Sequence, residues 1–287
     1  MIISVISGKG GTGKTFVATN LVLAMDSKTG LQFLDCDVEE PNAHLFLKPE
    51  FNTSRPVTIP VPEIDEGRCT FCGLCAEVCA FNALMVAKSS VLVFEQLCHG
   101  CGGCSYFCPE QAVSEVNRPI GLLETGYAGD IQFVHGRLKP GEALSPPLIE
   151  AVKNEINPTC LTIIDAPPGT SCSAVETVKG SDYCLLVTEP TPFGLHDLTL
   201  AVKLVKKMGI PAGIVINRYL GSSDNEPIEE YCRREGLPVW IKIPFDRELA
   251  SCYARGEPAV KHFAPWRQLF NNLGQRVIEN GKVGANE

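Results

Sequence analysis

The sequence predicts an α/β fold: a mostly parallel, twisted sheet with helices on both faces, which carries a small inserted α+β domain. Two observations predict this architecture. Short apolar runs alternate with helical patterns through most of the 287 residues, and eight of the fourteen cysteines lie between Cys69 and Cys108. We therefore divide the chain into residues 1–62 and 118–287, which form the large domain, and residues 63–117, which form the insert.

Each element of the large domain follows from its local pattern. Short apolar runs predict buried strands over residues 2–7, 32–34, 120–124, 131–135, 161–164, 183–188, 212–217 and 239–243. Helical spacing of apolar residues predicts helices over residues 17–25, 41–47, 147–156, 174–179, 195–208 and 227–236, and two more that begin at Asp246 and Pro265. The proline-rich residues 56–62 are expected to be extended. Strands that alternate with helices in this way form parallel sheets covered on both faces.

Charge and hydropathy narrow the class of protein. The net charge is −8, and residues 63–117 contain seven acidic and two basic side chains, which disfavours binding to nucleic acid or to anionic lipid. No apolar run reaches the ~18 residues that span a bilayer, and the N-terminal apolar run leads into a glycine-rich loop instead of a cleavage site. We expect a cytoplasmic protein without stable membrane insertion, whose reduced cysteines are metal ligands or buried thiols.

A glycine-rich loop follows the first predicted strand and precedes the first predicted helix. Its residues, Gly8-Lys9-Gly10-Gly11-Thr12-Gly13-Lys14-Thr15, fit the phosphate-loop pattern G-x-x-x-x-G-K-[ST] in full. Glycines allow successive backbone N–H groups to surround phosphate oxygens at a helix N-terminus. Lys14 is expected to reach the β- and γ-phosphates, and the Thr15 hydroxyl to bind Mg²⁺. The loop therefore predicts a site for ATP or ADP with Mg²⁺.

A second lysine in this loop, Lys9, gives it the deviant form that is typical of the MinD/ParA (SIMIBI) superfamily of P-loop ATPases. The chain resembles that family at further positions: Asp35-Cys36-Asp37 (switch I), Asp165-Ala166-Pro167-Pro168-Gly169 (Walker B and switch II), Asn217-Arg218 (the base-contact strand end), and Pro244-Phe245-Asp246 with Gly256-Glu257-Pro258 (a second adenine-side loop). The resemblance implies a P-loop NTPase fold. It also implies slow, partner-stimulated ATP hydrolysis by a dimer that encloses ATP between its subunits.

The same resemblance implies roles for individual residues. Lys9 would reach the phosphates of the opposite subunit, Asp37 would orient the attacking water, and Gly169 would sense the γ-phosphate. Catalytic roles thus fall to Lys9, Lys14 and Asp37, and Mg²⁺ binding to Thr15, Asp37 and, from the outer shell, Asp165. Nucleotide binding is expected at Gly8, Lys9, Gly10, Gly11, Thr12, Gly13, Lys14, Thr15, Phe16, Asp165, Gly169, Asn217, Arg218, Pro244 and Asp246.

The clustered cysteines repeat one spacing twice. The runs are Cys69-x₂-Cys72-x₂-Cys75-x₃-Cys79 and Cys98-x₂-Cys101-x₂-Cys104-x₃-Cys108-Pro109, the pattern of bacterial ferredoxins with two [4Fe–4S] clusters, in which the fourth cysteine of each run binds the other cluster. We therefore expect one cluster on Cys69, Cys72, Cys75 and Cys108, and the other on Cys79, Cys98, Cys101 and Cys104. Zinc is the competing metal, but paired Cys-x₂-Cys zinc sites leave the third cysteine of each run unexplained.

The other six cysteines show no ligand spacing. They are Cys36, Cys160, Cys172, Cys184, Cys232 and Cys252, and they lack the close pair with which cluster-scaffold members of the superfamily bridge a cluster across the dimer. Cys36, Cys160 and Cys184 lie in or beside apolar strands and are expected to be buried. Cys172 lies seven residues after Asp165, the spacing of a cluster ligand in the nitrogenase iron protein. A second cysteine for such a site is missing, which favours a structural role.

Three functions compete. In the first, a dimer that binds and hydrolyses ATP controls electron transfer from two inserted clusters to a redox partner. In the second, the protein assembles or matures an iron–sulfur or other metal cofactor. In the third, it is a positioning ATPase of the ParA/MinD type with structural or redox-sensing clusters. Two complete ferredoxin runs favour the first two, and the acidic charge disfavours a role on DNA. The sequence is compatible with a homodimer or a heterodimer with a paralogue.

Overall fold

The computed structural model describes residues 1–25 and 30–283, and for residues 222–225, 282 and 283 it describes the backbone alone. The strands are β1 (Ile2–Ile6), β2 (Leu31–Asp35), β3 (Glu50–Ile64), β4 (Leu84–Val86), β5 (Val91–Val93), β6 (Val113–Ala128), β7 (Ile131–Leu138), β8 (Leu161–Asp165), β9 (Tyr183–Thr188), β10 (Ala212–Tyr219) and β11 (Val239–Pro244). The helices are α1 (Lys14–Ala24), α2 (His44–Leu47), α3 (Leu74–Glu77), α4 (Gly103–Tyr106), α5 (Pro146–Lys153), α6 (Cys172–Val178), α7 (Pro192–Lys207), α8 (Ser222–Glu235), α9 (Arg247–Ala254), α10 (Ala259–His262) and α11 (Ala264–Val283).

One large sheet organises the molecule. Its strand order is β11-β10-β9-β1-β8-β2-β7-β6-β3. Neighbours from β11 to β7 pair in parallel, whereas β6 pairs antiparallel with both β7 and β3. The central strand β8 is buried along its whole length, as expected for a parallel strand between two layers of helices. The structure therefore confirms the predicted mostly parallel α/β sheet.

Helices cover both faces of this sheet. Successive side chains of a strand point to opposite faces, so Phe33 packs with residues of α1 and α11, while its neighbour Leu34 packs with residues of α5. Ile163 and Ile164 of β8 divide in the same way. Helices α7 and α8 cover the β9–β10 end of the sheet on the α5 side. Because helices pack on both faces of the sheet, the carboxyl ends of the parallel strands are held in place. The residues predicted to bind nucleotide lie at these ends.

A long antiparallel ribbon leaves one edge of the sheet. Strand β6 pairs with β7 only over residues 121–128, but its pairing with β3 continues to Ile64 and Val113. The outer residues form a two-stranded ribbon of roughly 25 Å, at ~3.3 Å per residue. The sequence predicted only the shorter segments 56–62 and 120–124, because the missed residues 50–55 of β3 and 114–117 of β6 are exposed and form no buried apolar run. The predicted domain boundaries at residues 62 and 117 fall inside β3 and β6. These two strands therefore belong to both the large domain and the insert.

Residues 65–112, the cysteine lobe, lie at the end of this ribbon. The two cysteine runs have the same backbone course, since left-handed residues occur at equivalent places in both: Phe71 and Gly100, Gly73 and Gly102, Asn82 and Gln111. Between the runs, β4 and β5 form a short antiparallel hairpin. The lobe thus consists of two similar halves joined by a hairpin.

Candidate functional site

The phosphate loop lies at the carboxyl edge of the sheet, between β1 and α1, beside a cavity of about 340 Å³. This volume falls in the range of small-molecule sites. Most of the residues predicted to bind nucleotide line it: Gly10, Gly11, Gly13, Lys14, Thr15, Phe16, Asp37, Asn217, Arg218, Pro244 and Asp246. Leu249, Ala250 and Tyr253 of α9 also line the cavity, and sequence reasoning missed them because their helix begins only after the motif at Pro244.

At two positions of the loop, close contacts with other elements require glycine. Gly13 has a φ of 92°, and a Cβ there would lie 2.3 Å from Asn217 Nδ2. That amide donates to the Thr12 carbonyl oxygen at 2.7 Å, which fixes the loop to the end of β10. A Cβ at Gly8 would lie 2.1 Å from the Asp197 carbonyl oxygen in α7. The loop therefore packs too closely against two other elements for side chains at these positions.

Oxygen ligands converge at the base of the loop. Thr15 Oγ1 donates to Asp165 Oδ2 at 2.6 Å, while the buried Asp165 Oδ1 has no hydrogen-bond partner among the residues that the structure describes. Burial raises the pKa of Asp165 to about 7, against the opposing effects of the Thr15 hydrogen bond and the Lys14 charge. Hard oxygen ligands, one of them with an unused lone pair, are what Mg²⁺ prefers. The residues predicted for Mg²⁺, namely Thr15, Asp37 and Asp165, therefore fit this ion.

The two aspartates of switch I have different surroundings. Asp35 is buried, and its carboxylate accepts hydrogen bonds from the backbone N–H groups of Asp37 (3.1 Å), Asn42 (3.1 Å) and Ala43 (3.0 Å). It therefore holds the segment after β2 in a fixed curve. Asp37 instead lines the nucleotide cavity. Burial raises the pKa of Asp37 to about 6, with Lys14 opposing the shift.

Five predicted residues lie outside the wall of the cavity: Gly8, Lys9, Thr12, Asp165 and Gly169. Lys9 extends sideways, and its Nζ is 3.3 Å from Glu189 Oε2. Glu189 Oε1 also accepts a hydrogen bond from Arg218 Nη1 at 2.5 Å. Gly169, with a φ of 87°, donates its N–H to the Ser7 carbonyl oxygen at 3.0 Å, which joins switch II to the phosphate loop. Sequence reasoning missed Glu189, although it directly follows a predicted strand at the edge where functional residues of parallel sheets gather.

In the cysteine lobe, the cysteines line two cavities. One cavity is lined by Cys69, Cys72, Cys75 and Cys108, and the other by Cys79, Cys98, Cys101 and Cys104. In both, the fourth cysteine of one run joins three cysteines of the other. Over residues 1–25 and 30–283, no three His, Cys, Asp or Glu side chains are arranged to hold a single metal ion. Cluster binding by these cysteines stays a prediction.

The donor chemistry of both cavities fits iron–sulfur ligation. Backbone N–H groups donate to the first and fourth sulfur of each run: Phe71 to Cys69 and Gly100 to Cys98 at 3.4 Å, and Ala83 to Cys79 and Ala112 to Cys108 at 3.3 Å. Hydrogen bonds to sulfur are among the factors that set cluster potentials. Burial raises the pKa of the Cys104 thiol to about 11, so a neighbouring metal charge is needed to ionise it at neutral pH.

The six other cysteines differ in exposure. Cys36, Cys184, Cys232 and Cys252 are buried. Cys160 was expected to be buried too, but it is only half-buried, because it precedes β8 and lies outside the covered part of the sheet. Cys172 is exposed at the first residue of α6.

Within the ranges that the structure describes, no helix is both long enough and apolar enough to cross a membrane.

Known proteins resemble the chain over nearly its whole length. A family model described as the CobQ/CobB/MinD/ParA nucleotide binding domain matches residues 3–259. An uncharacterized protein of Methanocaldococcus jannaschii is 32% identical over 265 residues, which cover 91% of this chain and 92% of that protein. A Pyrococcus furiosus protein described as an iron-sulfur cluster carrier protein is 25% identical over 308 residues, 98% of this chain and 86% of that protein. Among solved structures, the septum site-determining protein MinD of Pyrococcus horikoshii, complexed with Mg-ADP, superimposes with a TM-score of 0.59 at 21% identity, covering 99% of this chain and 98% of that one. The chain therefore belongs to the CobQ/CobB/MinD/ParA family of nucleotide-binding proteins.

Proposed function

We propose that this protein is an ATPase whose nucleotide-dependent dimer controls electron transfer through two [4Fe–4S] clusters to a redox partner. The observation that carries this proposal is a continuous series of contacts. It runs from both nucleotide switches, through the loop after β7, to the ribbon that holds the cysteine lobe.

ATP hydrolysis rests on positioning and charge. Lys14, which is only 7% exposed, lines the cavity beside the loop and would neutralise the β- and γ-phosphate oxygens. Asp37 would accept a hydrogen bond from the attacking water and so orient it. Thr15 and Asp165 would hold Mg²⁺, which when bound supplies further neutralisation of phosphate charge. Lys9 would leave Glu189 and enter the nucleotide site of the opposite subunit.

The first step of the series joins the two switches. Ser145, which is 2% exposed, donates from Oγ to Glu39 Oε1 at 3.1 Å and lies 2.7 Å from Ser173 Oγ. A hydroxyl has one proton, so Ser145 accepts from Ser173 while it donates to Glu39. Glu39 follows Asp37 in switch I, and Ser173 follows switch II. A displacement of either switch therefore changes the contacts of Ser145.

The second step leads to the ribbon. Ser145 ends a loop, residues 139–145, in which Glu142 forms an ion pair with Arg118 of β6. The Glu142 side chain is only 3% exposed, so this pair is shielded from solvent and weakly screened. The same region is joined by backbone bonds, since Leu138 N–H donates to the Val38 carbonyl (2.8 Å) and Lys139 N–H to the Ile120 carbonyl (2.9 Å).

The third step reaches the cysteine lobe. Arg118 is paired with Ile59 of β3, and Pro60 is the next residue along that strand. Pro60 and Pro62 line the cavity of Cys79, Cys98, Cys101 and Cys104. The Pro60 carbonyl oxygen is 3.0 Å from the place where Gly100 would carry a Cβ. Ribbon and lobe are therefore in close contact, and a displacement of the ribbon would be transmitted to the wall of that cavity.

The proposal is tested by the response of the lobe to nucleotide. When bound, [4Fe–4S] clusters supply one-electron transfer, and their reduction potentials and electron paramagnetic resonance spectra report on their surroundings. We expect ATP or a non-hydrolysable analogue to change both, ADP to change them less, and Lys14→Ala to abolish the change while the iron content stays constant. Identical spectra in all nucleotide states, from a protein that hydrolyses ATP, would contradict the proposal.

A second function, cofactor assembly, is favoured by one comparison. The Pyrococcus furiosus relative is described as an iron-sulfur cluster carrier protein, and delivery of a cluster from this chain would fit that description. The two functions are separated by incubating the loaded protein with a cluster-free ferredoxin. Loss of iron to that acceptor, without a nucleotide effect on the potential, would favour assembly.

A further inference from the structure

The β4–β5 hairpin forms a wall of both cysteine cavities. Its inner side chains alternate along the two strands, as in any antiparallel pair. Leu84 lines the cavity of Cys79, Cys98, Cys101 and Cys104. Val86 and Val91 line the cavity of Cys69, Cys72, Cys75 and Cys108. One small element therefore lies between solvent and both predicted clusters.

The outer face of the same hairpin is apolar as well. Met85 and Leu92 are directly opposite each other. Phe94 lies two residues beyond Leu92 on the same side, where its N–H donates to the Ala83 carbonyl at 2.8 Å. These side chains are 49%, 47% and 40% exposed. A solvent-facing side of an antiparallel pair is usually polar, and a contiguous exposed apolar patch is typical of an interaction site. We call Met85, Leu92 and Phe94 the apolar hairpin face.

Acidic side chains outnumber basic ones seven to two in residues 63–117, although one of the two bases, Lys88, lies in the turn of this hairpin. The seven carboxylates of residues 63–117 are all exposed. None of them forms an ion pair with another residue that the structure describes. Glu95 directly follows Phe94, and Glu77 belongs to α3, the helix that packs against β4. Uncompensated charge of one sign steers a partner of the opposite sign.

We propose that the apolar hairpin face docks a one-electron acceptor protein whose own contact face is apolar and surrounded by lysine and arginine. This inference rests on the proposed function, because the docked partner exchanges electrons with the lobe. In the exchange, a reduced [4Fe–4S] cluster of the lobe loses one electron and the acceptor gains it. The protein is reduced with dithionite beforehand, and the excess is removed before the acceptor is added, because dithionite itself reduces the acceptor.

The size of the face suits such a partner. Interfaces of electron-transfer pairs are small, with less than about 1,200 Å² buried in total. They combine an apolar centre with a polar rim. Three apolar side chains, with the exposed Glu95 directly after Phe94, meet that description. Tyr106 and Phe107 of the lobe are also exposed, but their rings pack against each other at 5.1 Å and line neither cavity.

The test uses the loaded, nucleotide-free protein and a basic c-type cytochrome as the probe. Binding of the oxidised protein is measured by sedimentation, and electron transfer by the rate of cytochrome reduction. We expect M85S/L92S to weaken binding and slow reduction about tenfold, since two exposed apolar side chains are lost from the contact. Glu95→Lys should weaken binding as well, and added salt should weaken the wild-type complex. Tyr106→Ser is the matched control and should bind like the wild type.

Three outcomes would overturn the inference. In the first, M85S/L92S binds no more weakly than Tyr106→Ser. In the second, an acidic flavodoxin binds as tightly as the cytochrome. In the third, the wild type dimerises without nucleotide and M85S/L92S does not, which makes a second copy the occupant. Iron content confirms that each variant is loaded. Because nucleotide is absent, docking can succeed while the nucleotide effect fails, and that result would contradict the proposed function alone.

Discussion

Glu189 holds Lys9 beside the nucleotide site, with Glu189 Oε2 3.3 Å from Lys9 Nζ. The other carboxylate oxygen accepts a hydrogen bond from Arg218, so one carboxylate fixes two cations of this face. Lys9 is the residue that the family resemblance assigns to the opposite subunit. In the proposed ATP-bound dimer, Lys9 would have to leave Glu189.

Glu189→Gln should strengthen ATP-dependent dimerisation. Glutamine keeps the shape of the side chain but lacks the charge that retains Lys9. A partly exposed ion pair of this kind contributes about 0.2–1 kcal/mol. Two such pairs break when the symmetric dimer forms, so the dimer dissociation constant should change roughly two- to thirtyfold. Sedimentation with a non-hydrolysable ATP analogue measures it. Glu235→Gln, which removes the exposed pair with Lys206, is the control. Unchanged or weaker dimerisation of Glu189→Gln would show that this pair does not oppose the dimer.

The ion pair of Arg118 and Glu142 should be needed for the nucleotide effect on the lobe. Glu142→Gln leaves the Arg118 cation without its carboxylate at a largely shielded place, which should lower the free energy of unfolding by about 3 kcal/mol. The double variant R118M/E142L removes both charges and should restore most of that stability. It should nevertheless lose the spectral response to ATP. If the double variant keeps the full response, the coupling does not pass through this pair.

Asp37 should make the stability depend on pH. Burial raises its pKa from an ordinary value near 3.8 to about 6, so the neutral carboxyl stabilises the fold. That stability is fully present below pH 3.8 and is lost as the pH rises through about 6. Between about pH 5 and about pH 7.5, the wild type should lose about 1 kcal/mol relative to Asp37→Asn. Denaturant unfolding of nucleotide-free protein without Mg²⁺ measures this difference.

Two variants keep the pH experiment specific. Burial, together with the Asp37 charge, raises the pKa of Asp165 to about 7, so Asp165→Asn, measured with and without Asp37→Asn, separates the two titrations. Asp130→Asn removes an exposed carboxylate far along the chain and should follow the wild-type curve. Parallel curves for wild type and Asp37→Asn would contradict the raised pKa.

Features that depend on local spacing could be predicted from the sequence, and features that depend on tertiary contacts could not. The phosphate loop at Gly13 and the parallel sheet follow from residues close together in the chain. Ser145, Arg118 and Glu189 acquire their importance from partners far away in sequence, and no motif marks them. The strands of the ribbon were predicted too short because residues 50–55 of β3 and 114–117 of β6 are exposed. Their apolar residues therefore do not form the run that indicates a buried strand.

In each cavity the fourth cysteine of one run lies with three cysteines of the other run. This crossed arrangement predicts which two cysteine substitutions affect the same cluster. Cys79 lines one cavity with Cys98, although it belongs to the run of Cys69. Cys79→Ser should therefore lose about half of the bound iron, as expected for two clusters that each need four ligands. Adding Cys98→Ser should cause little further loss, whereas adding Cys69→Ser should remove nearly all the iron.

An uncrossed arrangement gives the opposite result for the two double variants. In that case Cys79 and Cys69 would serve one cluster, and C79S/C69S would retain about half of the iron, while C79S/C98S would lose nearly all of it. Iron analysis and the paramagnetic resonance of the reduced protein distinguish the two arrangements, because magnetic interaction between clusters disappears when one is missing. Cys172→Ser is the control, since Cys172 is exposed in α6, outside both cavities, and should retain all the iron.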